Sequence, residues 1–586
     1  MKRMKNIIIG TFAIVGSLAS VGCSDLLDTT NLYEANLESY YSNKSEIDLA
    51  LSGVYNSLFV DEVLSEEHLI ASLLSDLLLA GGGSDDTGSQ NIDAFTATTE
   101  DIYVSLWTET YAGVYRANAV IEAIPNADFT ADFTSQDEIE DYMNASLGEA
   151  YFMRAFFMFR AAKIFGGMPL IPTTDSDREV PRATIPETYS FIATDLLKAI
   201  EYMPEENVNS MSLSDYGHAN IWVAKSFLAR IYMFYTGYMT NIEKEATTEL
   251  PYEDGAITKS DVVGHLEDVI NNSGHALVSD FRNLWPYSYV NESNSIYNPD
   301  YVDGDIILPW AAENNLAWAG QDGPKSTLGT GNSEVLFALR FGLGNWDYDS
   351  GTGQKYSNRM CLYMGIRDHG SIYPFGQGWG WCSVHPTFYN GWSDSDPRKA
   401  GSVLTLGDDA QGTGSWVAGL SNQETTLINK KYITLKHYGD DGLQGMFYYL
   451  YNMNNADPMQ LWAAQDFYYM RFSDVLLMHS ELTETADGLN KVRARAGLDA
   501  VSYSLDAIKS ERMYEFAFEG IRWFDLVRWG DVEGSANYYS TPITVNNAGV
   551  EATYSISYRT ETKALNQIPQ SEIRLSNGVY EQNPGW

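Results

Sequence analysis

Aromatic side chains concentrate between residues 285 and 392, where they could bind the apolar face of a ligand. Indole rings offer a rigid apolar surface at low entropic cost, and neighbouring amides and carboxylates can bind hydroxyl groups. The pattern favours an aromatic surface for a sugar, and the alternative is that each ring packs beneath its own loop. Half of the 14 tryptophans lie in this window, at Trp285, Trp310, Trp318, Trp346, Trp379, Trp381 and Trp392.

Four tryptophans of this window are our candidate ligand-binding residues: Trp310, Trp318, Trp346 and Trp381. They lie in segments rich in Gly, Asn, Asp and Ser, and long loops of this kind usually carry function. Trp107 lies in a helical pattern instead, and we expect it in the core.

Two acidic loops of the same region carry oxygen ligands that calcium prefers. The second loop lacks the Gly and Glu positions of an EF-hand, so we expect solvated loops and no metal or other cofactor. Calcium is the alternative that the composition leaves open. The acidic and amide residues are Asp300, Asp303 and Asp305 in "PDYVDGD", and Asn345, Asp347 and Asp349 in "NWDYDSG".

No pattern of catalytic residues stands out in the chain. There is no HExxH, no GxSxG and no phosphate-binding loop. Paired carboxylates, which glycosidases use, carry no information among 78 acidic residues. We therefore expect neither an enzyme nor a catalytic residue, and a secreted glycoside hydrolase is a remote alternative.

The N-terminus has the pattern of an export signal. A basic start precedes an apolar run from Ile7 to Leu18, which is typical of a secretory signal peptide at residues 1–22. The run is shorter than the roughly 20 apolar residues that span a bilayer. Because Cys23 directly follows Gly22, we predict that Cys23 is lipidated. An ordinary signal peptide with a chance cysteine is the alternative.

The formal net charge of −41 excludes some partners. Such a charge repels nucleic-acid phosphates and anionic membrane surfaces, so we expect no nucleic acid as a partner. The remaining cysteines, Cys361 and Cys382, could pair in an exported chain or stay as two thiols, and their spacing does not decide between these.

The spacing of apolar residues predicts a mainly α fold, with a tetratricopeptide-like helical hairpin scaffold and a large irregular, loop-rich aromatic insertion. We predict a lipidated tether at 23–45, a helical region at 46–250, a loop-rich ligand-binding region at 251–464 and a C-terminal region at 465–586 that packs on the scaffold. The predicted helices include Gly148–Ile164, Thr184–Pro204, Asn220–Tyr238, Gln465–Thr483, Gly488–Gly497 and Ala507–Trp529.

Several motifs occur in order along the chain. They are "CSDLLD" after the signal, "EAYFMRAFFMFRAAKIFGGMPLI", "DSDPRKAGSV", "YMRFSDVLLMHSEL", "LNKVRARAGL", "IKSERMYEFAFEGIRWFDLVRWG" and "QIPQSEIRLSNGVYEQNPGW" at the end. Through them the chain resembles the SusD/RagB family over nearly its whole length. Charges spaced by three or four residues, such as Arg512, Glu515 and Glu519, are expected to form ion pairs that hold helices together rather than to catalyse.

The resemblance implies an acylated lipoprotein on the outer face of the outer membrane, which covers a TonB-dependent SusC-like transporter as a lid. It implies a glycan ligand, and an early loop that helps to shape the sugar site. The counterpart here is Gly81–Thr99, which includes Asn91, our fifth candidate ligand-binding residue. A peptide-binding import partner of the same family and a surface adhesin are the alternatives.

Overall fold

The computed structural model of the chain describes part of the sequence, and the description below is confined to that part. The described residues are 41–59, 67–68, 70–97, 102–177, 179–211, 217–285, 288, 332–339, 341, 358–367, 375, 377–409, 413–417, 419, 421, 423–434, 436–439, 442–445, 465–533 and 541–586. Cys23, the proposed signal peptide and the acidic loops lie outside them, as does the predicted tether 23–45 except for residues 41–45, in which α1 already begins at Lys44.

Helices dominate the described residues, which confirms the predicted mainly α fold. None of these helices combines the length and the apolar character that a membrane crossing needs. The helices are α1 Lys44–Asn56, α2 Ile70–Leu73, α3 Thr87–Asp93, α4 Val104–Ala123, α5 Gln136–Phe165, α6 Ile185–Tyr202, α7 Ile221–Asn241, α8 Lys259–Asn272, α9 Met360–Met364, α10 Pro386–Gly391, α11 Pro397–Ser402, α12 Phe472–Thr483, α13 Asp487–Arg495, α14 Leu505–Glu515, α15 Arg522–Trp529 and α16 Gln570–Leu575.

The scaffold is the run of helices from α4 to α8, in which each helix packs against the next. α5 begins with a capping box between Ser135 and Glu138 and ends at Gly166, whose φ of +78° suits glycine. α6 begins with the same motif, so both boundaries follow from local sequence. Phe152 and Phe156 of α5 contact the same ring of α7 edge to face, which places the scaffold core between these helices.

Short strands form antiparallel pairs, some of them local hairpins and some between distant parts of the chain. The strands are β1 Leu78–Ala80, β2 Leu250–Tyr252, β3 Gly255–Ile257, β4 Val335–Leu339, β5 Cys382–Val384, β6 Val403–Thr405, β7 Leu427–Asn429, β8 Lys436–Gly439, β9 Gly442–Gly445, β10 Phe467–Arg471, β11 Ile543–Asn547 and β12 Val550–Tyr554. β1 pairs with β5 and β4 with β10 over long sequence distances, whereas β2 pairs with β3, β6 with β7, β8 with β9 and β11 with β12.

The predicted helix Gln465–Thr483 is wrong in its first part. Phe467–Arg471 forms the strand β10, and the helix α12 begins only at Phe472. Aromatic residues favour strands, and β10 finds its partner β4 far away in the sequence. Local periodicity therefore could not show this pairing.

The predicted helix Ala507–Trp529 is two helices, α14 and α15. Between them Phe518 and Gly520 have φ values of +66° and +74°, which no α-helix accommodates. A Cβ on Gly520 would lie 2.6 Å from Nδ1 of His68, so this corner also packs tightly on the early part of the chain. The break turns α15 onto α7 of the scaffold.

Among its described residues, the region predicted to be loop-rich contains one long helix, α8, and three helices of five or six residues, α9, α10 and α11. A capping box between Thr258 and Asp261 starts α8, which packs against α7 and α12. In the same region Cys361 and Cys382 are both buried free thiols. Of the two alternatives for these cysteines, the structure has the unpaired one, and burial raises the pKa of each thiol.

Candidate ligand-binding site

Three aromatic rings from the predicted aromatic window lie together, and we call them the aromatic site: Tyr363, Trp379 and Trp381. Tyr363 and Trp381 stack with ring centroids 4.7 Å apart and planes 5° apart. The Trp379 ring lies 5.1 Å from that of Trp381, at 51°. Tyr363 is buried, whereas both tryptophans are half-buried, so the outer surface of the cluster is indole.

Close backbone packing holds the aromatic site in place. Segment 378–381 lies against the end of α9, and the N–H of Trp379 donates to the carbonyl oxygen of Leu362 at 2.7 Å. A Cβ on Gly378 would overlap the backbone of Gly365. Glycine is therefore required for this approach, and the sequence "GQGWGW" carries both the glycines and the rings.

The early loop lies directly beside the aromatic site. β1 pairs with β5. Directly after β1, the N–H of Gly81 donates to the carbonyl oxygen of Trp381 at 2.7 Å. Gln90 of α3 holds the start of this loop, because its amide donates to the carbonyl oxygens of Gly81 and Gly83 at 3.1 and 3.2 Å. The predicted early loop and one predicted tryptophan thus meet.

Arg367 and Asp86 form the polar edge of the aromatic site. Nη1 of Arg367 lies 3.4 Å from Oδ2 of Asp86 and 3.3 Å from the carbonyl oxygen of Trp379. Each of the two side chains is about one-third exposed, at 34% and 30%. Guanidinium and carboxylate groups beside an indole face can bind the hydroxyl groups of a sugar.

Asn91 lies on α3, half-buried, and its amide oxygen accepts a hydrogen bond from Thr96 Oγ1 at 3.3 Å. This hydrogen bond joins two residues of the early loop near its C-terminal end. Gln90, the neighbour of Asn91, instead donates to Gly81, whose own N–H donates to Trp381. A ligand role for Asn91 therefore stays a prediction.

Two carboxyl groups near the aromatic site are buried: Asp93 of the early loop and Glu424. Asp93 accepts hydrogen bonds from the N–H of Ala80 at 2.8 Å and from the Tyr554 hydroxyl at 2.6 Å. Burial raises the pKa of Asp93 to about 7, although these two bonds act in the opposite direction. Burial also raises the pKa of Glu424 to about 7, against the pull of Arg367 and a bond from the Gly419 N–H.

The other predicted aromatic residues divide into two groups. Trp310, Trp318 and Trp346 lie outside the described residues, so their ligand roles stay predictions. Trp285 and Trp392 of the same window are buried at 1% and 2% exposure, as the alternative of packing beneath the loops requires. Trp107 is in the core, as predicted.

The charged residues of the C-terminal motifs bind each other. Arg471 is buried and donates to Glu334 at 2.6 Å, Glu515 at 2.8 Å and Glu519 at 2.9 Å. Arg398 of α11 binds Glu515 as well, at 2.9 Å. These pairs join separate elements, which agrees with the structural role that we predicted for them. Within the described part of the chain, no group of His, Cys, Asp or Glu residues is arranged to hold a metal ion.

A second concavity, of about 760 Å³, lies between α5, α6 and β2. Its aromatic residues Tyr151 and Phe191 flank Arg154, whose guanidinium lies 5.4 and 4.9 Å from their ring centroids. Lys198 also lies over the Tyr151 ring, at 5.3 Å. Because cations already cover these rings, they are poorer sugar platforms than Trp379 and Trp381.

The sequence indicated Trp381 and the early loop, but it missed the rest of the aromatic site. Tyr363 lies in a five-residue helix, and Arg367 and Asp86 meet only through tertiary packing. Trp379 is one of the seven tryptophans of the window, and its type alone does not distinguish it from the others. The repeated Gly-Trp of "GQGWGW" was the available signal, because glycines beside aromatics mark close backbone packing.

Comparisons with known protein families agree at both ends of the chain. A family model described as "SusD family" matches residues 382–586. A second model, described as "Starch-binding associating with outer membrane", matches residues 27–233. Between them lies most of the predicted loop-rich region, and each match contains several of the motifs quoted above.

Relatives cover nearly the whole chain. The SusD-like protein P2 of Formosa agariphila is 25% identical over 545 residues, which is 88% of this chain and 89% of the relative. A solved structure titled laminarin binding SusD-like protein superposes with a TM-score of 0.67 at 22% identity, and covers 93% of this chain and 100% of its own.

A second solved structure is surface glycan-binding protein A from Bacteroides thetaiotaomicron in complex with laminarihexaose. It has a TM-score of 0.67 at 19% identity, and the match covers 92% of this chain and 100% of that one. These structures share the helical scaffold, and the two family models match the sequence on both sides of the loop-rich region. The chain belongs to the SusD-like family.

Proposed function

We propose that this chain binds an oligosaccharide or polysaccharide at the cell surface and delivers it to a SusC-like TonB-dependent transporter. The observation that carries the binding part is the half-buried pair Trp379 and Trp381, held rigidly by Tyr363 and the early loop. Rigid indole faces lose little entropy when a sugar ring stacks on them. The chain acts as a binding protein and not as an enzyme in this proposal.

A neutral glycan fits this site better than an acidic one. The polar edge carries one cation and one anion, Arg367 and Asp86, and the whole chain has a net charge of −41. A sulfated or uronic polymer would approach against this charge. Laminarin is the first ligand to test, because two structural relatives are named for laminarin or for its complex with laminarihexaose.

Native affinity electrophoresis tests the proposal, with gels that contain laminarin, starch, mannan, xylan or pectin. We expect laminarin or another neutral glycan to retard the native chain. The double variant Trp379→Ala/Trp381→Ala should lose about tenfold or more in affinity, since central aromatic contacts typically contribute above 1 kcal/mol each. Trp529→Ala is the matched control, because this half-buried tryptophan of α15 packs on Arg528 and Lys509 instead.

The possible outcomes test the location of the binding site and the binding function independently. Retardation that survives loss of Trp379 and Trp381 would refute the aromatic site, and the triple variant of Trp310, Trp318 and Trp346 would then be tested next. No retardation by any glycan, combined with peptide binding in calorimetry, would favour the peptide-binding alternative of the same family.

The proposed location is the outer face of the outer membrane, with a lipid on Cys23. Its support is the signal pattern before Cys23 and the outer-membrane wording of the matching family model. Full-length chain expressed in a Gram-negative host should fractionate with outer membranes and be cleaved by protease added to intact cells. Cys23→Ala should move the chain out of the membrane fraction; an unchanged distribution would contradict lipidation at this residue.

The transporter partner is tested separately. Affinity isolation of the full chain from detergent-solubilised native membranes should recover a TonB-dependent barrel in near-stoichiometric amount. Isolation without any barrel would overturn the delivery step and leave glycan binding untouched.

A further inference from the structure

A cavity of about 60 Å³, lined by aromatic and charged side chains, lies inside the protein where α5, α7 and α15 meet β10. Its lining includes Glu67, Arg160, Lys163, Arg230, Arg512 and Arg528. None of the residues of the aromatic site lines it. Cations are therefore gathered around an internal space that the proposed glycan site does not use.

Positive charge exceeds negative charge in this cavity. Glu67 is the one carboxylate that binds both Arg160 and Lys163, the latter at 2.7 Å. Glu519, which also lines the cavity, binds Lys431 and Arg471 elsewhere.

The remaining cations of the lining form an alternating chain with carboxylates. In order, the chain is Arg230, Asp474, Arg512, Asp525, Arg528 and Glu481. This chain balances its own charge. The excess therefore stays with Arg160 and Lys163, which share Glu67.

Two guanidinium nitrogens of the lining have no hydrogen-bond partner among the described residues. They are Nη2 of Arg160 and Nε of Arg230. Arg160 is only 2% exposed, so water outside the protein does not serve it. Leaving a buried donor unpaired costs about 1–3 kcal/mol, and more for a charged group. An acceptor with negative charge would satisfy the donors and the charge excess together.

We propose that this cavity binds a small monovalent anion of the halide class. A cavity of this size exceeds the roughly 10–15 Å³ that one water molecule needs, so an ion and accompanying water fit inside it. The ion would accept from Arg160 Nη2 and Arg230 Nε, and would balance the charge that Glu67 leaves uncompensated. Burial, and to a lesser extent Arg160 and Arg230, lower the pKa of Lys163, and a bound anion would oppose that effect.

Thermal unfolding of the full chain in detergent tests the proposal. Sodium gluconate is replaced by sodium bromide or chloride at constant ionic strength, since gluconate is too large for the cavity. We expect Tm to rise by about 1–3 °C and to saturate with halide concentration, as binding to the folded state alone requires. A Tm that does not depend on halide would overturn the proposal.

Matched variants show whether the effect belongs to this cavity. Arg160→Lys keeps a cation beside Glu67 but removes Nη2, so its Tm should no longer respond to halide. Arg154→Lys changes another buried arginine of α5, which binds Asp195 and has all its nitrogens paired, and should keep the full response. An equal response in both variants would place the halide effect elsewhere and refute the site.

Crystals of the native chain soaked in bromide give a direct measurement that depends on no variant. An anomalous peak between Arg160 Nη2 and Arg230 Nε would support the site. Water alone at that place, in crystals that bind bromide elsewhere, would overturn it.

Discussion

The environment of Asp93 is poorly suited to a negative charge. It is fully buried, Oδ2 accepts two hydrogen bonds, and Oδ1 has no partner among the described residues. A carboxyl group with a pKa of about 7 in the folded state binds a proton that the unfolded chain releases near pH 4. The folded state therefore loses stability relative to the unfolded state as pH rises from about 4 to 7.

Asp93→Asn should remove this pH dependence, because the amide keeps an acceptor for Ala80 and Tyr554 and has no charge to bury. We expect the variant to gain stability over the native chain as pH rises, up to roughly 2–4 kcal/mol at pH 8. Urea unfolding at pH 5, 6, 7 and 8 measures the difference. A difference that is the same at all four values would contradict the burial argument.

The sequence predicted the structural role of a single residue only where the residue type and its local pattern were sufficient evidence for that role. Trp107 and the ion-pairing charges fall into this class, because a helical pattern or a complementary charge already indicates a structural role. Arg367 and Asp86 do not, because each is an ordinary polar residue until packing brings the two within 3.4 Å beside Trp379. The amino-acid composition therefore could not predict the polar edge of the aromatic site.

At the scale of elements, the contact of segment 378–381 with α9 decides where the indoles lie. Gly378→Ala would push this segment off Gly365 and so displace Trp379 and Trp381. If the proposed glycan binding is correct, affinity should fall by about tenfold or more in electrophoresis, while the circular dichroism spectrum is retained. Gly391→Ala is the control, because a Cβ there meets nothing within 4 Å, and its affinity should be native.

The corner between α14 and α15 makes a second prediction about elements. Gly520→Ala introduces a Cβ at a φ of +74° and 2.6 Å from His68, so both strain and overlap oppose it. We expect a loss of about 2–4 kcal/mol in urea unfolding. Gly497→Ala has a similar φ, +72°, in open space, and should cost only about 1 kcal/mol. Equal losses would mean that the contact with His68 contributes nothing.

Elements with local signals were predicted well, and elements that depend on distant partners were not. Terminal glycines indicated the end of α5, and prolines indicated the bounds of α6, whereas the capping box at Ser135 starts α5 well before the predicted helix Gly148–Ile164. β10 carries no such signal, and it is a strand because β4 lies alongside it in the fold. The α14–α15 corner looks helical in period, although Phe518 and Gly520 have positive φ values and Gly520 packs tightly on His68.

At the scale of the whole molecule, the C-terminal tail connects the two segments that the family models match. Asn583 is 5% exposed, and its amide donates to the carbonyl oxygens of Phe165 at 3.0 Å and Asn566 at 2.5 Å. Its amide oxygen accepts from Arg182 Nη2 at 2.9 Å. Phe165 ends α5 of the scaffold, so this one side chain joins early and late parts of the chain.

Asn583→Ala should leave these buried groups without partners and lower the free energy of unfolding by about 2–4 kcal/mol. Because a single hydrophobic core runs through both segments, we expect one transition that shifts as a whole. Tryptophan fluorescence and far-ultraviolet circular dichroism should give the same urea midpoint, and Asn126→Ala, an exposed control, should change it little. Two transitions, of which the variant moves only one, would mean that the segments unfold independently and that the tail stabilises only its own half.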